Sequence, residues 1–235
     1  MDLDLDVKVF VVSGGTSGLG AAVAAGLVGE GARVVICSRS SRRVSEAVST
    51  LGEQAVGLAA DLRDATTPRR LIERARRSSG RLDGAFVSHG GPDPGPATDL
   101  DDARLRRAME SAVVAPIAVI REIVRELPSG GAVVALTSST GVEPMVGMAA
   151  SNVARAAVHG YVKTIATEVA TRGVRVNVLI PGPSPRLLCF YCSLTVLSRD
   201  FADTEVVAGS SPMAWRGWVF RWKRSCLRCS PAGCR

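Results

Sequence analysis

The sequence predicts an α/β fold, a doubly wound parallel sheet with helices on both faces that form three layers, α/β/α. Short β-branched runs alternate with longer stretches of helical periodicity, which is the pattern of a parallel sheet with crossover helices. Of the 235 residues, 46% are apolar and 22% are charged, and the mean hydropathy is +0.19. This composition is typical of a globular domain and excludes a disordered or collagen-like chain.

The elements can be assigned in order along residues 1–185, which we predict to be one domain. Six β-branched runs are predicted strands, at residues 7–12, 33–37, 55–60, 84–87, 132–136 and 174–180. Helices are predicted between them, from the Ala-rich segment that ends at Glu30, through Ser41–Leu51 and the segment opened by Pro68, to residues 101–127 and 149–171. Because crossovers between parallel strands are right-handed, this order predicts a Rossmann-type sheet.

The turn after the first predicted strand contains Gly14, Gly18 and Gly20 at a G-x-x-x-G-x-G spacing. Glycine lets the backbone approach a pyrophosphate and take a positive φ, and the next helix offers unpaired N–H groups with a partial positive charge. Tight structural turns can share this spacing, but its place between a strand and a helix favours dinucleotide binding. The predicted cofactor loop includes Gly14, Thr16, Ser17, Gly18, Leu19 and Gly20.

The end of the second strand predicts which dinucleotide is bound. NAD enzymes usually place an acid here to accept hydrogen bonds from the ribose hydroxyls, whereas this chain has Ser38 and Arg39. Arg39, together with Arg42 or Arg43, can form charge-assisted hydrogen bonds to a 2′-phosphate. The prediction is therefore NADP, with NAD as the alternative cofactor and a solvated basic helix start as the structural alternative.

Further motifs extend the pattern, and they are Asp61-Leu62, Val87-Ser88-His89-Gly90, Thr137-Ser138 and Arg175-Val176-Asn177-Val178-Leu179-Ile180-Pro181-Gly182. With the glycine loop, they make residues 5–185 resemble the short-chain dehydrogenase/reductase family, and in general character its 3-oxoacyl carrier-protein reductases. The resemblance implies hydride transfer between NADPH and a small ketone or alcohol substrate. It also implies a homo-oligomer, unless the C-terminus has lost the surface that such an assembly needs.

The resemblance further implies where the cofactor would lie. Asp61 would contact the adenine beside Leu62, Ser88 and Gly90 would line the cofactor beyond the fourth strand, and Pro181 and Gly182 would lie near the nicotinamide.

At the reaction site the sequence departs from the family, which uses a Tyr, a Lys four residues later, a Ser and an Asn. Ser138 holds the Ser position, but Ser151, Arg155 and Ala112 hold the Tyr, Lys and Asn positions. A serine hydroxyl is a much weaker acid than a tyrosine, and an arginine stays charged and cannot relay a proton. Ser151 and Arg155 still share one helical face at i and i+4, so Arg155 can replace the lysine in binding the ribose.

We therefore predict Ser138, Ser151 and Arg155 as the catalytic residues, with the proton supplied by water, substrate or Ser151. Tyr161 and Lys163 are not a displaced catalytic pair, because residues two apart face different sides of a helix. Tyr161 is predicted to be a packing or dimer-surface residue.

Two further residues are weaker candidates for the reaction site. His89 can titrate near neutrality, but a single loop histidine is more often a hydrogen-bonded structural group. Glu143 is a weaker candidate still, for a substrate contact.

Residues 186–235 have a different composition and are predicted to be an atypical tail. They contain 8 of the 29 Lys and Arg, 3 of the 22 acids, 5 of the 6 Cys and all 3 Trp. The pairs Cys189/Cys192 and Cys226/Cys229 have the ligand number of a zinc ribbon, but their separation exceeds the roughly 15–20 residues of that pattern, so no metal site is predicted. In a chain with 26 Arg and 3 Lys, typical of GC-rich coding DNA, this composition suggests a frameshift near codon 185 that removes the family's last strand.

Most of the formal net charge of +7 belongs to this tail, so the charge does not indicate nucleic-acid binding by the main domain. The acidic N-terminus and the lack of an apolar run of membrane-spanning length predict a cytoplasmic protein without a membrane partner. Three functions stay open. They are an NADPH-dependent carbonyl reductase or alcohol dehydrogenase, a nucleotide-binding protein without turnover, and a truncated, non-functional product.

Overall fold

A six-stranded parallel sheet forms the centre of the computed structural model, which describes residues 3–181. The strands are β1 (Val9–Ser13), β2 (Arg33–Ser38), β3 (Ala55–Ala59), β4 (Gly84–Val87), β5 (Ala132–Leu136) and β6 (Arg175–Leu179). Their order across the sheet is β3-β2-β1-β4-β5-β6, and all neighbouring pairs are parallel. This is the predicted doubly wound Rossmann-type sheet, and the fold prediction is confirmed.

Helices connect successive strands, and they are α1 (Gly18–Gly29), α2 (Ser41–Leu51), α3 (Thr67–Ser79), α4 (Asp102–Met109), α5 (Ala115–Glu126) and α6 (Ala149–Val169). One apolar cluster packs α1 and α2 against one face of the sheet, and a larger cluster packs α3, α5 and α6 against the other face. Burying apolar side chains on both sheet faces explains why the strands are continuous apolar runs rather than alternating ones. The result is the predicted three-layer α/β/α arrangement.

The chain reverses its direction across the sheet between β3 and β4, which leaves β1 and β4 as neighbours in the middle. In open α/β sheets, ligands bind beyond the carboxyl ends of the strands at such a switch point. The buried Ser13 hydroxyl joins the two strand ends here, since its Oγ donates to the Ser88 carbonyl at 2.8 Å and accepts from the Ser88 N–H at 2.9 Å. The fold therefore places the topological switch point of the sheet where the sequence places its glycine loop.

Several predicted element boundaries differ from the structure. The first strand begins at Val9 rather than at residue 7, because Val7 has a φ of 56° and the Lys8 N–H closes a turn onto the Leu5 carbonyl. The single helix predicted over residues 101–127 is divided by a π-helical turn, Glu110–Val114, between α4 and α5. Such a turn inserts one extra residue into the helical repeat without breaking the helix.

The end of β2 carries Cys37, which is buried in the core. Its Sγ donates to the Ala60 carbonyl at 3.6 Å, and burial raises the pKa of the thiol to about 11. The predicted tail, residues 186–235 with its four paired cysteines, lies outside the described residues, and the division of the chain at residue 185 stays a prediction.

Candidate active site at the carboxyl edge of the sheet

The glycine loop after β1 needs glycine for steric reasons. Gly14 and Gly18 have φ values of 64° and 55°, in the left-handed region that other residues avoid. A Cβ on Gly20 would lie 2.3 Å from the Gly14 carbonyl oxygen, and one on Gly14 would lie 3.1 Å from the Ser88 Oγ. Side chains are therefore excluded from the surface that a pyrophosphate would approach.

The N-terminus of α1 is open toward this loop. Ser17 is the N-cap residue, but its side chain makes no capping hydrogen bond, and the first turn contains no acid. The first N–H groups of a helix have no partner inside the helix. Here the side chain of Ser17 leaves them uncapped. Together with the helix dipole, they form a site suited to a phosphate group. The side chains of Thr16 and Leu19 lie half-buried on either side of this helix start.

The end of β2 presents a free cation. Ser40 caps α2 by accepting a hydrogen bond from the Arg43 N–H at 3.3 Å, and Arg42 pairs with Glu46 at 3.0 Å. Arg39 is exposed and, among residues 3–181, makes no ion pair or hydrogen bond through its side chain. Ser38 is half-buried beside it and accepts from the Ser40 N–H at 3.5 Å.

Asp61 follows β3 and is held by its neighbour Arg63. The Arg63 Nη2 donates to Asp61 Oδ2 at 2.6 Å, and the Arg63 N–H donates to Oδ1 at 3.0 Å. These hydrogen bonds lower the pKa of the Asp61 carboxyl to about 2, with a smaller contribution from the charge of Arg39. The carboxylate is therefore ionised and fixed just beyond the carboxyl end of β3, and Leu62 packs against the core beside it.

His89, in the loop after β4, accepts a hydrogen bond from a residue far away in the sequence. Arg155 Nη1 lies 2.9 Å from His89 Nε2, and His89 Nδ1 lies 2.9 Å from the Gly90 carbonyl oxygen. Since a carbonyl only accepts and a guanidinium only donates, Nδ1 carries the proton and Nε2 is the acceptor. Burial and the charge of Arg155 lower the pKa of His89 to about 4, so the imidazole is neutral near pH 7.

Arg155 is 7% exposed and carries a charge that no acidic side chain of residues 3–181 neutralises. Besides His89, its Nη1 donates to the Leu136 carbonyl at 3.3 Å, while its Nε is buried without a hydrogen-bond partner. Burial lowers the pKa of the guanidinium, and burial together with the charge of Arg155 lowers the pKa of His159 on the next turn of α6. The site therefore contains a buried cation among neutral polar groups.

Ser138 and Ser151 are linked through Thr140 rather than to each other. Ser138 Oγ accepts from the Thr140 N–H at 3.3 Å, and Thr140 Oγ1 lies 3.2 Å from Ser151 Oγ. Thr140 and Ser151 are both buried. The Ser151 hydroxyl thus has a hydrogen-bond partner inside the protein, and in the part of the chain that the structure describes it bonds to no base that would raise its acidity.

The family's Asn position is apolar and inaccessible. Ala112 lies in the π-helical turn, is 0% exposed and belongs to the larger apolar cluster. Nearby, Gly141 lets α6 approach, because a Cβ on it would lie 2.8 Å from both the Arg155 backbone and His159. Tyr161 packs against the larger cluster, as predicted, and the Glu143 side chain is exposed.

The structure therefore brings most predicted site residues to one edge of the sheet. Pro181 lies beside the β5 end, where its carbonyl accepts from the Ser139 N–H at 3.4 Å, whereas Gly182 lies outside the described residues. The roles of all these residues remain predictions. Sequence reasoning missed Thr140 and His159, whose only sequence signal was their nearness to Ser138 and Arg155.

Within residues 3–181, no three His, Cys, Asp or Glu side chains are placed to hold a metal ion. None of the helices in the same range has the length and apolar character needed to cross a membrane.

Comparison with known proteins decides the family. A family model described as short chain dehydrogenase matches residues 8–184. The chain belongs to the short-chain dehydrogenase family.

Known short-chain dehydrogenases resemble this one along most of the described chain. Dehydrogenase/reductase SDR family member 4 from Homo sapiens is 34% identical over 182 residues, which cover 74% of this chain and 65% of the human protein. Tropinone reductase-like 3 from Erythroxylum coca is 34% identical over 183 residues, covering 76% of this chain and 70% of that protein. This chain thus spans less than two thirds of the length of the human relative.

Solved short-chain dehydrogenase structures agree with the fold. A short chain dehydrogenase from Burkholderia cenocepacia, determined in complex with NADP, superposes with a TM-score of 0.71 at 30% identity, covering 76% of this chain and 75% of that one. A dehydrogenase/reductase from Sinorhizobium meliloti 1021 gives a TM-score of 0.72 at 30% identity, covering 77% and 73%. A specific likeness to 3-oxoacyl carrier-protein reductases stays a prediction.

Proposed function

We propose that the chain is an NADPH-dependent oxidoreductase that transfers hydride between the cofactor and a ketone or alcohol. The observation that carries the proposal is the nucleotide loop, in which a Cβ at Gly20 would collide with the Gly14 carbonyl and the N-terminus of α1 lacks a side-chain cap. A loop that served only as a turn would not need both features. Membership of the short-chain dehydrogenase family supports the reaction class.

The residues present suit NADPH. The open α1 N-terminus would hold the pyrophosphate, and Arg39 with Ser38 would hold the 2′-phosphate, because Arg39 has no competing ion pair among residues 3–181. Asp61 and Leu62 would border the adenine. Ser88, Gly90, Pro181 and Gly182 would border the nicotinamide end.

The bound nicotinamide supplies the hydride chemistry, and the protein supplies binding and orientation. Ser138 would donate a hydrogen bond to the substrate carbonyl and orient it. Arg155 would bind near the ribose and hold a positive charge close to the developing alkoxide, which favours charge build-up on oxygen. Because Ser151 is hydrogen-bonded to the buried Thr140, the proton that completes the alcohol would come from water.

A second candidate function is nucleotide binding without turnover. It is favoured by Ala112 and Ser151, since the one cannot position a relay water and the other is a poor proton donor. Such a protein would bind the same dinucleotide and would respond to binding with a conformational change instead of a reaction.

The test is a calorimetric titration of the full-length protein with NADPH and, in parallel, with NADH. Micromolar binding with NADPH preferred supports the proposal, and absence of binding by folded protein contradicts both candidates. Oxidation of NADPH in the presence of a panel of ketones then separates the enzyme from the binding protein. Binding without any ketone-dependent oxidation would favour the second candidate.

A further inference from the structure

The charge on Arg155 requires an explanation beyond ribose binding. Burying a cation is unfavourable unless a counter-charge offsets the lost hydration, and a guanidinium does not give up its proton. No carboxylate of residues 3–181 pairs with it, and its two hydrogen bonds go to a neutral imidazole and a carbonyl. A ribose diol is also neutral, so it would leave this charge uncompensated.

The guanidinium lies at the carboxyl edge of the sheet, between the ends of β4 and β5. Nη1 is engaged by His89 on one side and by the Leu136 carbonyl on the other. Nη2 makes no hydrogen bond within residues 3–181 and lies 3.6 Å from the position that a Cβ on the exposed Gly91 would take. Nη2 is thus a donor that the described part of the protein leaves without a partner, beside the loop that follows β4.

His89 fixes the position of the guanidinium. Its Nδ1–H is held by the Gly90 carbonyl, so Nε2 is presented to Arg155 as an acceptor. The imidazole therefore engages the guanidinium without neutralising it, whereas an acid at the same place would cancel the charge. Among the described residues, this arrangement orients a cation and keeps it available for an anion.

We propose that Arg155 Nη2 binds the carboxylate of an oxo-acid substrate, with His89 as the residue that positions the guanidinium. This inference rests on the proposed function and narrows its substrate class. In the reaction, the carbonyl carbon of the oxo acid gains a hydride and the oxygen gains a proton from water. NADPH is oxidised to NADP⁺, the product is a hydroxy acid, and the carboxylate is unchanged.

The experiment compares oxamate, which carries a carboxylate, with oxamide, in which a neutral amide replaces it. Both are titrated calorimetrically into the full-length protein saturated with NADPH. We expect oxamate to bind about 10- to 100-fold more tightly, the contribution of a charge-assisted hydrogen bond. Equal affinity for the two compounds would overturn the proposal.

Variants at Arg155 test the assignment to this residue. Arg155→Gln is expected to abolish the preference for oxamate, and Arg155→Lys, which keeps the charge and should fold as well, to retain part of it. A preference that survives Arg155→Gln would overturn the proposal. So would a loss of NADPH affinity in Arg155→Gln without any oxamate preference in the parent protein, because the bound anion would then be a phosphate of the cofactor.

Variants at His89 test its positioning role. Replacing it with glutamine, whose Oε1 can accept from Arg155, should retain oxamate binding, whereas His89→Leu should weaken it and raise the KM for an oxo acid more than it lowers kcat. Equal behaviour of the two variants would contradict the role of His89. The oxamate and oxamide titrations are repeated without NADPH, so the anion site is judged even if the protein fails to bind or oxidise the cofactor.

Discussion

Two halves of the same sheet edge have different relations to the family. The nucleotide half, at the ends of β1, β2 and β3, keeps a glycine loop, an open helix N-terminus and an Arg39 that pairs with no acid of residues 3–181. The reaction half, at the ends of β4, β5 and β6, keeps Ser138 but has Ser151, Arg155 and Ala112 where the family has Tyr, Lys and Asn. Cofactor binding depends on backbone shape and fixed charge, whereas proton transfer depends on side chains of matched acidity. One fold can therefore keep the first and change the second.

Restoring the family's Tyr and Lys at positions 151 and 155 would remove the difference between the two halves at these positions. This change has the largest expected effect on activity. The double variant Ser151→Tyr with Arg155→Lys places a phenol beside an ammonium group. The phenol is a much stronger acid than the serine hydroxyl and therefore donates a proton more readily. We expect ketone reduction to rise by about 10²- to 10⁴-fold, the usual contribution of general acid catalysis, measured as kcat with NADPH in excess. Val153→Tyr with Arg155→Lys is the matched control, because Val153 is exposed on the same helix. Equal rates in the two double variants would show that the proton donor is not what limits turnover.

A side chain at Gly20 would disrupt the nucleotide half. In Gly20→Ala the new Cβ would lie 2.3 Å from the Gly14 carbonyl oxygen, so the loop must move. We expect NADPH binding to be lost by calorimetry and the free energy of unfolding to fall by about 1–3 kcal/mol. Gly26→Ala in the same helix meets nothing within 4 Å and should instead add about 0.5–1 kcal/mol. Unchanged NADPH affinity in Gly20→Ala would contradict the role of the loop.

Lowering the pH should destabilise the folded protein through His89, which lies in the reaction half. Burial and the charge of Arg155 hold the pKa of His89 at about 4 in the folded protein, against 6.5 for an exposed histidine, so the unfolded chain takes up a proton first as the pH falls. The stability that the neutral imidazole contributes is present above pH 6.5, is lost between pH 6.5 and 4, and amounts to about 3 kcal/mol. Denaturant unfolding of the parent and of His89→Gln across this range should show a shallower pH dependence in the variant. Parallel curves would mean that His89 titrates normally.

A substitution at Arg39, in the nucleotide half, has the smallest expected effect. Arg39→Gln should lower NADPH affinity by about 10- to 100-fold and leave NADH affinity unchanged, since only NADPH has the 2′-phosphate. Arg42→Gln is the control, because Arg42 is already paired with Glu46. An equal loss in the two variants would mean that the cluster acts through its total charge.

The fold was predictable because its signals are local. Strands β4 and β5 and helix α2 were predicted with their observed bounds, since β-branched runs and turn residues delimit them. The π-helical turn at Glu110–Val114 was not predicted, because one inserted residue leaves the apolar pattern on either side intact.

The site was less predictable than the fold. The glycine loop could be located from spacing and position, as the steric fit at Gly20 supports. The pairing of Arg155 with His89 could not, because the two residues are 66 apart in the sequence and meet only when α6 packs beside the loop that follows β4. The tautomer of His89 depends on that meeting and on the Gly90 carbonyl, so no local pattern encodes it.

The buried thiol at the end of β2 gives the chain a built-in chemical selectivity. Only a thiolate reacts readily with maleimides, and a pKa of about 11 leaves Cys37 almost fully protonated at neutral pH, as well as enclosed. The other five cysteines of the sequence all follow residue 185. A thiol-directed fluorophore added to the native protein should therefore spare Cys37, and labelling of this residue would report that the core around β2 has opened.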